Sequence, residues 1–477
     1  MTPINIGSRL ELFVDGYLID RLIGGACLRL QTPRPAGPAF RFDRPWEGAF
    51  SGYATVLKDG DRFRLYYRAW PSANDQRSAV TCVAESDNGL WFERPALGLH
   101  EVHGTRDNNV ILTCDQDMYT HNFAPFLDAR PGVPAEERYK AVARNYGLAH
   151  RGERSDPMGL CAFASADGIR WHRCHDAPVL TNGKFDSHNV AFWSEHESCY
   201  LCYFRDVAGG DGYEGGVRSI ARSRSDDFIN WSTPSLMDLG DTPPEHLYTN
   251  ATTPYLRAPH IYIALPGRFW PGRQILSEEE GRSLGVHMQP NGKAGYWADT
   301  ADAVFMTRRG GKRYDRTFME SFVRPGLDRR NWTSRCNYPA RGIVQTAEDE
   351  LSIYVERHNA QDGKYLERLT LRVDGFVAVH AGYDGGELIM RPFTFTGDTL
   401  RLNYATSAAG SIRVEIEHPD GNAMPGYSLS DCDEIVGDEL ARGVTWQGAS
   451  DLTRLAGRTV RLRFALRDAD LFALRFT

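Results

Sequence analysis

The sequence predicts an all-β protein: a five-bladed β-propeller with a C-terminal antiparallel β-sandwich. Three observations lead there. Helical periodicity is nearly absent, and the best helical stretch is short, Ser277–Arg282. The composition is rich in turn formers and aromatics, with 46 Gly, 25 Pro, 23 Phe, 21 Tyr and 10 Trp, the mix of many short strands joined by tight turns. Finally, one strand-turn-aromatic unit recurs along the chain.

That unit reads Ala84-Glu-Ser-Asp-Asn-Gly-Leu-Trp91, Ala164-Ser-Ala-Asp-Gly-Ile-Arg-Trp171 and Arg224-Ser-Asp-Asp-Phe-Ile-Asn-Trp231, and more loosely Thr307-Arg-Arg-Gly-Gly-Lys-Arg-Tyr314. Before each copy comes a polar turn and an aromatic-rich strand, at Asp59–Arg68, Glu136–Ala143, His196–Arg205, Pro259–Ala264 and, a fifth time, Asp349–Glu356. Before that comes an apolar strand with a polar entry: Ser51–Leu57, Asn122–Leu127, Asn189–Trp193, Thr252–Leu256 and Gly342–Gln345. Five copies of a four-stranded unit predict five blades. From Gly382 onward the chain alternates with period two and loses the Asp-turn-Trp unit, as a sandwich does. The expected division is therefore 1–40, a strand segment packing on the sandwich or closing the propeller; 41–378, the propeller; and 379–477, the sandwich.

Charge and cysteines exclude several classes. The formal net charge is −7, which lacks the basic excess that phosphate neutralisation demands, so no nucleic-acid partner is expected. No run approaches the roughly 20 apolar residues that span a bilayer. The first residues show no charged segment leading into an apolar one, and the nine cysteines are odd in number and scattered. The expectation is a cytoplasmic protein with free thiols. Cys199-x-x-Cys202 lies in a strand, where residues three apart face opposite ways, so it is a poor metal or redox pair. His172 and His175 flank Cys174 without a second ligand cluster. Asp431-Cys-Asp433-Glu434 reads better as a solvated turn than as a cation site. No metal and no cofactor are expected.

In a propeller, the residues entering the innermost strands converge although they are distant in sequence. These entries are Arg44–Ser51, Asp117–Asn122, Phe185–Asn189, Glu245–Asn250, and the pair Phe318–Phe322 and Arg335–Tyr338. Each carries a carboxylate or amide beside an aromatic, a combination that suits sugar hydroxyls and the apolar face of a sugar ring. Glycoside cleavage needs two carboxyl groups. The candidates are Asp186, Glu245, Glu320 and Glu47. Each has a plain alternative: Glu47 a turn cap after Pro45, Asp186 an Asx-turn, Glu245 a solvated loop residue, Glu320 a partner for Arg324. Candidate substrate-binding residues are His188, Asn189, Tyr248, Asn250, Arg335 and Asn337, with Arg68, Trp70, Arg205 and Trp270 from loops on the same face. Asp211–Glu214 and the long insert 267–300 would add to that face, the insert as a lid or a contact with a second subunit.

These features resemble the five-bladed-propeller glycosidases of glycoside hydrolase families 32, 43 and 68. The chain looks more like an uncharacterised bacterial family-32-like group. That likeness rests on Leu12-Phe-Val-Asp-Gly-Tyr-Leu-Ile-Asp20, Trp46-Glu-Gly48, Tyr248-Thr-Asn250, Arg257-Ala-Pro-His-Ile-Tyr262 and Leu466-Arg-Asp-Ala-Asp-Leu471. The Asn-Asp-Pro-Asn box, the Arg-Asp-Pro box and the Glu-Cys pair of family 32 are missing. The run Asp186, Glu245, Glu320 is similar in type to the family 43 carboxylates but not identical in placement. The resemblance implies a glycoside hydrolase acting on a small carbohydrate; the expectation of a homo-oligomer rests on the insert as a contact with a second subunit. Two other functions fit the same architecture: a phosphate-dependent phosphorylase like those of family 130, using one carboxylate and the arginines 68, 205, 268 and 335, or a non-catalytic sugar-binding propeller.

Overall fold

The computed structural model describes residues 3–72, 78–114, 121–145, 158–210, 215–290, 292 and 294–477. The protein is all-β, with a single α-helix among these residues, Glu278–Ser283. Among the described residues no helix is long and apolar enough to cross a membrane. The chain divides into two compact units, one of Pro33–Thr346 and Leu351–Thr370, the other of Met1–Thr32, Ala347–Glu350 and Leu371–Thr477.

The larger unit is a series of antiparallel sheets made in chain order. The first holds Gly52–Asp59, Arg62–Ala69, Val80–Ser86 and Val110–Leu112. The second holds His121–Leu127, Tyr139–Arg144, Leu160–Ser165 and His172–Arg173. The third holds Val190–Ser194, Cys199–Ala208, Val217–Ser225 and Ser235–Leu236. The fourth has three strands rather than the expected four: Thr253–Tyr255, Ala258–Ala264 and Met306–Arg308. The fifth combines Val344–Gln345, Glu350–Arg357 and Tyr365–Arg372 with Arg34–Arg41, a strand from the beginning of the chain.

The recurring sequence unit is a physical turn. In each of its three clear copies a serine hydroxyl accepts the backbone N–H three residues on: Gly89 to Ser86, Gly168 to Ser165 and Phe228 to Ser225, each at 2.9 Å. The Asx side chain two after the serine then accepts the next N–H, from Leu90, Ile169 and Ile229. The residue after the Asx takes a left-handed φ, 73° at Gly89, 73° at Gly168 and 69° at Phe228. The closing tryptophan donates its indole N–H back to that residue's carbonyl in two copies, Trp171 to Gly168 and Trp231 to Phe228.

Each turn also docks on a neighbouring sheet. A Cβ at Gly168 would sit 2.5 Å from the Tyr66 hydroxyl of the first sheet. Phe228 packs edge-on against Phe126 of the second sheet, with ring centroids 5.6 Å apart. Tyr354 of the fifth sheet donates its hydroxyl to the Gly89 carbonyl of the first at 2.5 Å. The leading strands of the sheets meet as well. Thr55 bridges Arg341 in parallel, and the buried Arg341 guanidinium donates to the Pro125 and Ala191 carbonyls of the second and third sheets. Burial without a carboxylate pulls Arg341 down to about 10.

The insert 267–300, expected as a single long loop, is itself structured. Gly267–Trp270 and Thr300–Ala303 pair with His246–Leu247 as a separate three-stranded sheet. Between them Ser277 and Glu280 form a reciprocal capping box on the helix. The smaller unit, expected as a sandwich, is one continuous eight-stranded sheet plus a parallel pair, Ile4–Gly7 with Phe393–Phe395. Its spine is Leu400–Glu417 running against Arg461–Phe476, with a register shift between Thr406 and Ser411. Leu402, Val414, Phe464, Leu474 and Phe476 share one buried core there. Ile19–Gly24 and Cys27–Leu30, from the start of the chain, pair with Gly386–Met390 and Val377–Ala381 in this sheet. Asp433 of the candidate cation turn is engaged by Thr445 and Gly448, and no metal-holding cluster is present among the described residues.

Candidate functional site

The larger unit contains a cavity of about 300 Å³ where the entries of several sheets converge. From the first sheet come Tyr53, Arg68 and Trp70, with Phe50 and Ser51 just before it. His121 opens the second sheet, and Asp186 lies in the entry to the third. Tyr248 follows the short strand His246–Leu247, and the insert contributes Gln289, Pro290 and Tyr296. Arg335 and Tyr338 precede the fifth sheet, whose Glu356, Asn359 and Lys364 complete the wall.

Among the described residues two carboxylates line this cavity, and their surroundings differ. The Asp186 side chain is 57 % exposed. Its oxygens contact His121 Nε2 at 3.2 Å and lie 3.7 Å from Arg144 and 3.8 Å from Arg205. Partial burial opposes its charge, but the His121 hydrogen bond and the two guanidinium groups win, holding the carboxyl well below its usual range. His121 is pushed down to about 4, burial outweighing its contact with Asp186, so near neutral pH the ring is neutral and donates a hydrogen bond to a carboxylate. Glu356 is buried. Its Oε1 accepts the Tyr53 N–H at 2.6 Å and its Oε2 accepts Lys364 Nζ at 2.7 Å. Burial lowers the Lys364 ammonium despite that partner. Gly52 is obligatory beside it: a Cβ there would fall 2.3 Å from Glu356 Oε2, at a φ of 142°.

Aromatic rings and guanidinium planes form the rest of the wall. Arg68 lies over Tyr53 and Trp70, at 4.7 and 4.6 Å from the ring centroids. Arg335 lies over Tyr248 and Tyr296 at 5.4 and 5.3 Å, and Arg205 over Tyr248 at 4.6 Å. Burial pushes the Tyr53 and Tyr338 phenols up. Tyr248 is the exception: burial raises it too, but Arg335 and Arg205 overcome that and bring the phenol below its ordinary value.

The structure thus brings Asp186, Tyr248, Arg335, Arg68 and Trp70 to one cavity, with Arg205 behind Asp186. It does not bring the other three candidate carboxylates there. Glu47 is fully buried elsewhere, bridged by Arg94 at 2.8 and 2.7 Å and by the Tyr67 hydroxyl at 2.5 Å. Glu245 is clamped between Arg268, at 2.7 Å, and Arg316. Glu320 is exposed to solvent rather than buried among its apolar neighbours. The expected hydroxyl binders are spent on the fold. Asn189 donates to the Phe185 and Ser187 carbonyls, Asn250 to Tyr203, and Asn337 to Ala301 and Asn331. His188 is buried against Thr55, beneath Tyr53. Trp270 is an exposed ring with Arg268 and Arg273 beside it. Asp117–Thr120 and Asp211–Glu214 lie outside the described residues.

Glu356 carried a sequence signal. Arg68, Arg205 and Glu356 each stand two residues after a tyrosine in the second strand of their sheets: Tyr66-Tyr-Arg68, Tyr203-Phe-Arg205 and Tyr354-Val-Glu356. Aligning the repeats on that tyrosine singles out the carboxylate.

No family model matches the chain, and no curated protein matches it in sequence. The solved structures that match it do so only distantly. A beta-1,2-mannobiose phosphorylase from Listeria innocua is 10 % identical with a TM-score of 0.46, covering 72 % of this chain and 96 % of that one. A protein titled glycoside hydrolase is 11 % identical with a TM-score of 0.44, covering 71 % and 92 %. An N-acetylgalactosamine deacetylase from F. plautii is 12 % identical with a TM-score of 0.43, covering 72 % and 95 %. Agreement at this level transfers neither an activity nor a residue role.

Proposed function

We propose that the protein is a glycoside hydrolase acting on a small carbohydrate in this cavity, on a five-bladed propeller built from the five successive sheets. One observation carries the reading: two carboxyl groups, Asp186 and Glu356, line one cavity walled by aromatic rings. The propeller arrangement is supported by the turn of each of the first three sheets docking on a neighbouring sheet and by the meeting of the leading strands at Arg341.

Asp186 is the group kept ionised, by His121 and the flanking arginines, and takes the role of base or nucleophile. Glu356 and Lys364 share one proton across their 2.7 Å contact, and this pair delivers it to the leaving oxygen; the proton that Asp186 takes from the attacking water returns to the pair through solvent. Trp70, Tyr296 and Phe50 offer apolar faces to the sugar ring. The test is a panel of aryl glycosides and short oligosaccharides, with and without phosphate, on the wild type and on Asp186→Asn and Glu356→Gln. Hydrolysis without phosphate that falls by about 10²–10⁴ in each variant supports the assignment. Full activity in both variants, or turnover only with phosphate, overturns it.

A further inference from the structure

Among the described residues, the cavity holds more positive charge than its two carboxylates use. Glu356 is taken by Lys364 at 2.7 Å, and Asp186 faces Arg144 at 3.7 Å and Arg205 at 3.8 Å besides its hydrogen bond from the neutral His121. Arg68 and Arg335 make no ion pair with any carboxylate among the described residues, although both line the cavity. Arg68 is 8 % exposed and donates to the Asn122 side-chain oxygen at 2.8 Å and the Phe50 carbonyl at 2.9 Å, both uncharged acceptors. Arg335 has one long contact, to the Tyr296 hydroxyl at 3.4 Å. The Nε atoms of both are buried without an acceptor. A guanidinium carries five N–H donors, and a buried unpaired cation is costly. Both arginines line one cavity, with Tyr53 and Tyr296 within electrostatic reach of both.

Resting on the reading of this cavity as a glycoside site, we propose that its substrate is an acidic sugar whose ring carboxylate is held by Arg68 and Arg335. A planar carboxylate matches the guanidinium fork, and it replaces the missing counter-ion that neutral hydroxyls cannot supply. The backbone at Arg335 supports a placed side chain: it has a left-handed φ of 60°, as Asn337 does at 67°, and Asn337 is pinned by two backbone carbonyls.

The experiment measures binding by calorimetry of glucuronic and galacturonic acids, of glucose and galactose, and of inorganic phosphate. It is run on the wild type and on Arg335→Gln, Arg335→Lys and Arg68→Gln, each checked by thermal melting. Turnover is measured in parallel on aryl uronides and their neutral parents. The expected result is a preference for the acidic sugars, lost by about 10–100-fold in Arg335→Gln and partly kept in Arg335→Lys. Should Arg335→Gln fail to fold, Arg335→Lys retains the charge but not the fork and still has to lose affinity for the acidic sugars alone. Neutral sugars bound or cleaved as well as acidic ones overturn the inference and leave the hydrolase reading standing. Phosphate bound while the sugar acids are not also overturns it. Acidic sugars bound through the arginines but never cleaved support it and remove the hydrolase reading.

Discussion

Glu47→Gln separates a structural carboxylate from a catalytic one. The Glu47 side chain is 0 % exposed and receives two hydrogen bonds from Arg94, one from Tyr67 and one from the Arg44 N–H at 3.1 Å. The amide keeps the shape and removes the charge, leaving Arg94 to the solvent-exposed Asp43 at 3.2 Å. Breaking a buried ion pair from one side costs about 3–5 kcal/mol. The remaining Asp43 contact and the partial exposure of Arg94 place this case at about 2–3 kcal/mol. For a unit of this size that is a melting temperature lower by roughly 3–4 °C. Calorimetric melting of the wild type and variant reads it, with sugar binding measured well below the transition. Binding and turnover stay within about twofold, because Glu47 is outside the cavity. A variant that melts with the wild type but loses turnover would refute this placement of Glu47.

Further expectations follow from the same contacts. Asp186→Asn removes about 10²–10⁴ of activity while changing the melting temperature by only a few degrees, since its side chain faces the cavity rather than the core. Both activity and melting are measured on one preparation. Gly52→Ala drives a methyl group into the Glu356 carboxylate and disfavours a φ of 142°; it lowers both stability and sugar affinity, whereas Gly60→Ala, with open space around it, keeps affinity. Burial pulls His188 down to about 3 and His121 to about 4. Between about pH 6.5 and pH 3 the unfolded histidines take up protons that the folded ones refuse, so stability falls as pH falls through this window, by an order of a few kcal/mol. Denaturant unfolding against pH measures it. His188→Gln flattens the slope, and an unchanged slope would refute the buried neutral ring.

Much of the all-β architecture was legible because its turns are chemical. Ser86, Ser165 and Ser225 make the same hydrogen bond in the same place, so the same letters recur. The strand supplied by Arg34–Arg41 was not assignable, because pairing to the distant Tyr365–Arg372 leaves no local pattern. Loop entries far apart in the chain do converge, since Asp186, Tyr248 and Arg335 line one cavity. The same reasoning overcounted carboxylates: a buried Glu47 held by Arg94 and a Glu245 held by Arg268 read, in sequence, just like free ones. The arginine that decides the matter lies well along the chain in each case. The asparagines misled for a related reason: an amide near a loop entry serves backbone carbonyls as readily as a ligand's hydroxyls, and Asn189, Asn250 and Asn337 do so.

The outer strand of the fifth sheet has a consequence for the order of assembly. Arg34 pairs with Thr370 and Arg41 with Tyr365, so a strand made early in synthesis finds its place only after nearly the whole larger unit has been made. Until then the edge of Tyr365–Arg372 stays open to other chains, and the segment that will cover it is a tethered strand without a sheet. Closing so long a loop is slow and entropically costly, which makes this pairing a late event in folding. The finished unit is then fastened by its two ends, and a cut between Arg41 and Gly52 would test how much that fastening contributes to its kinetic persistence.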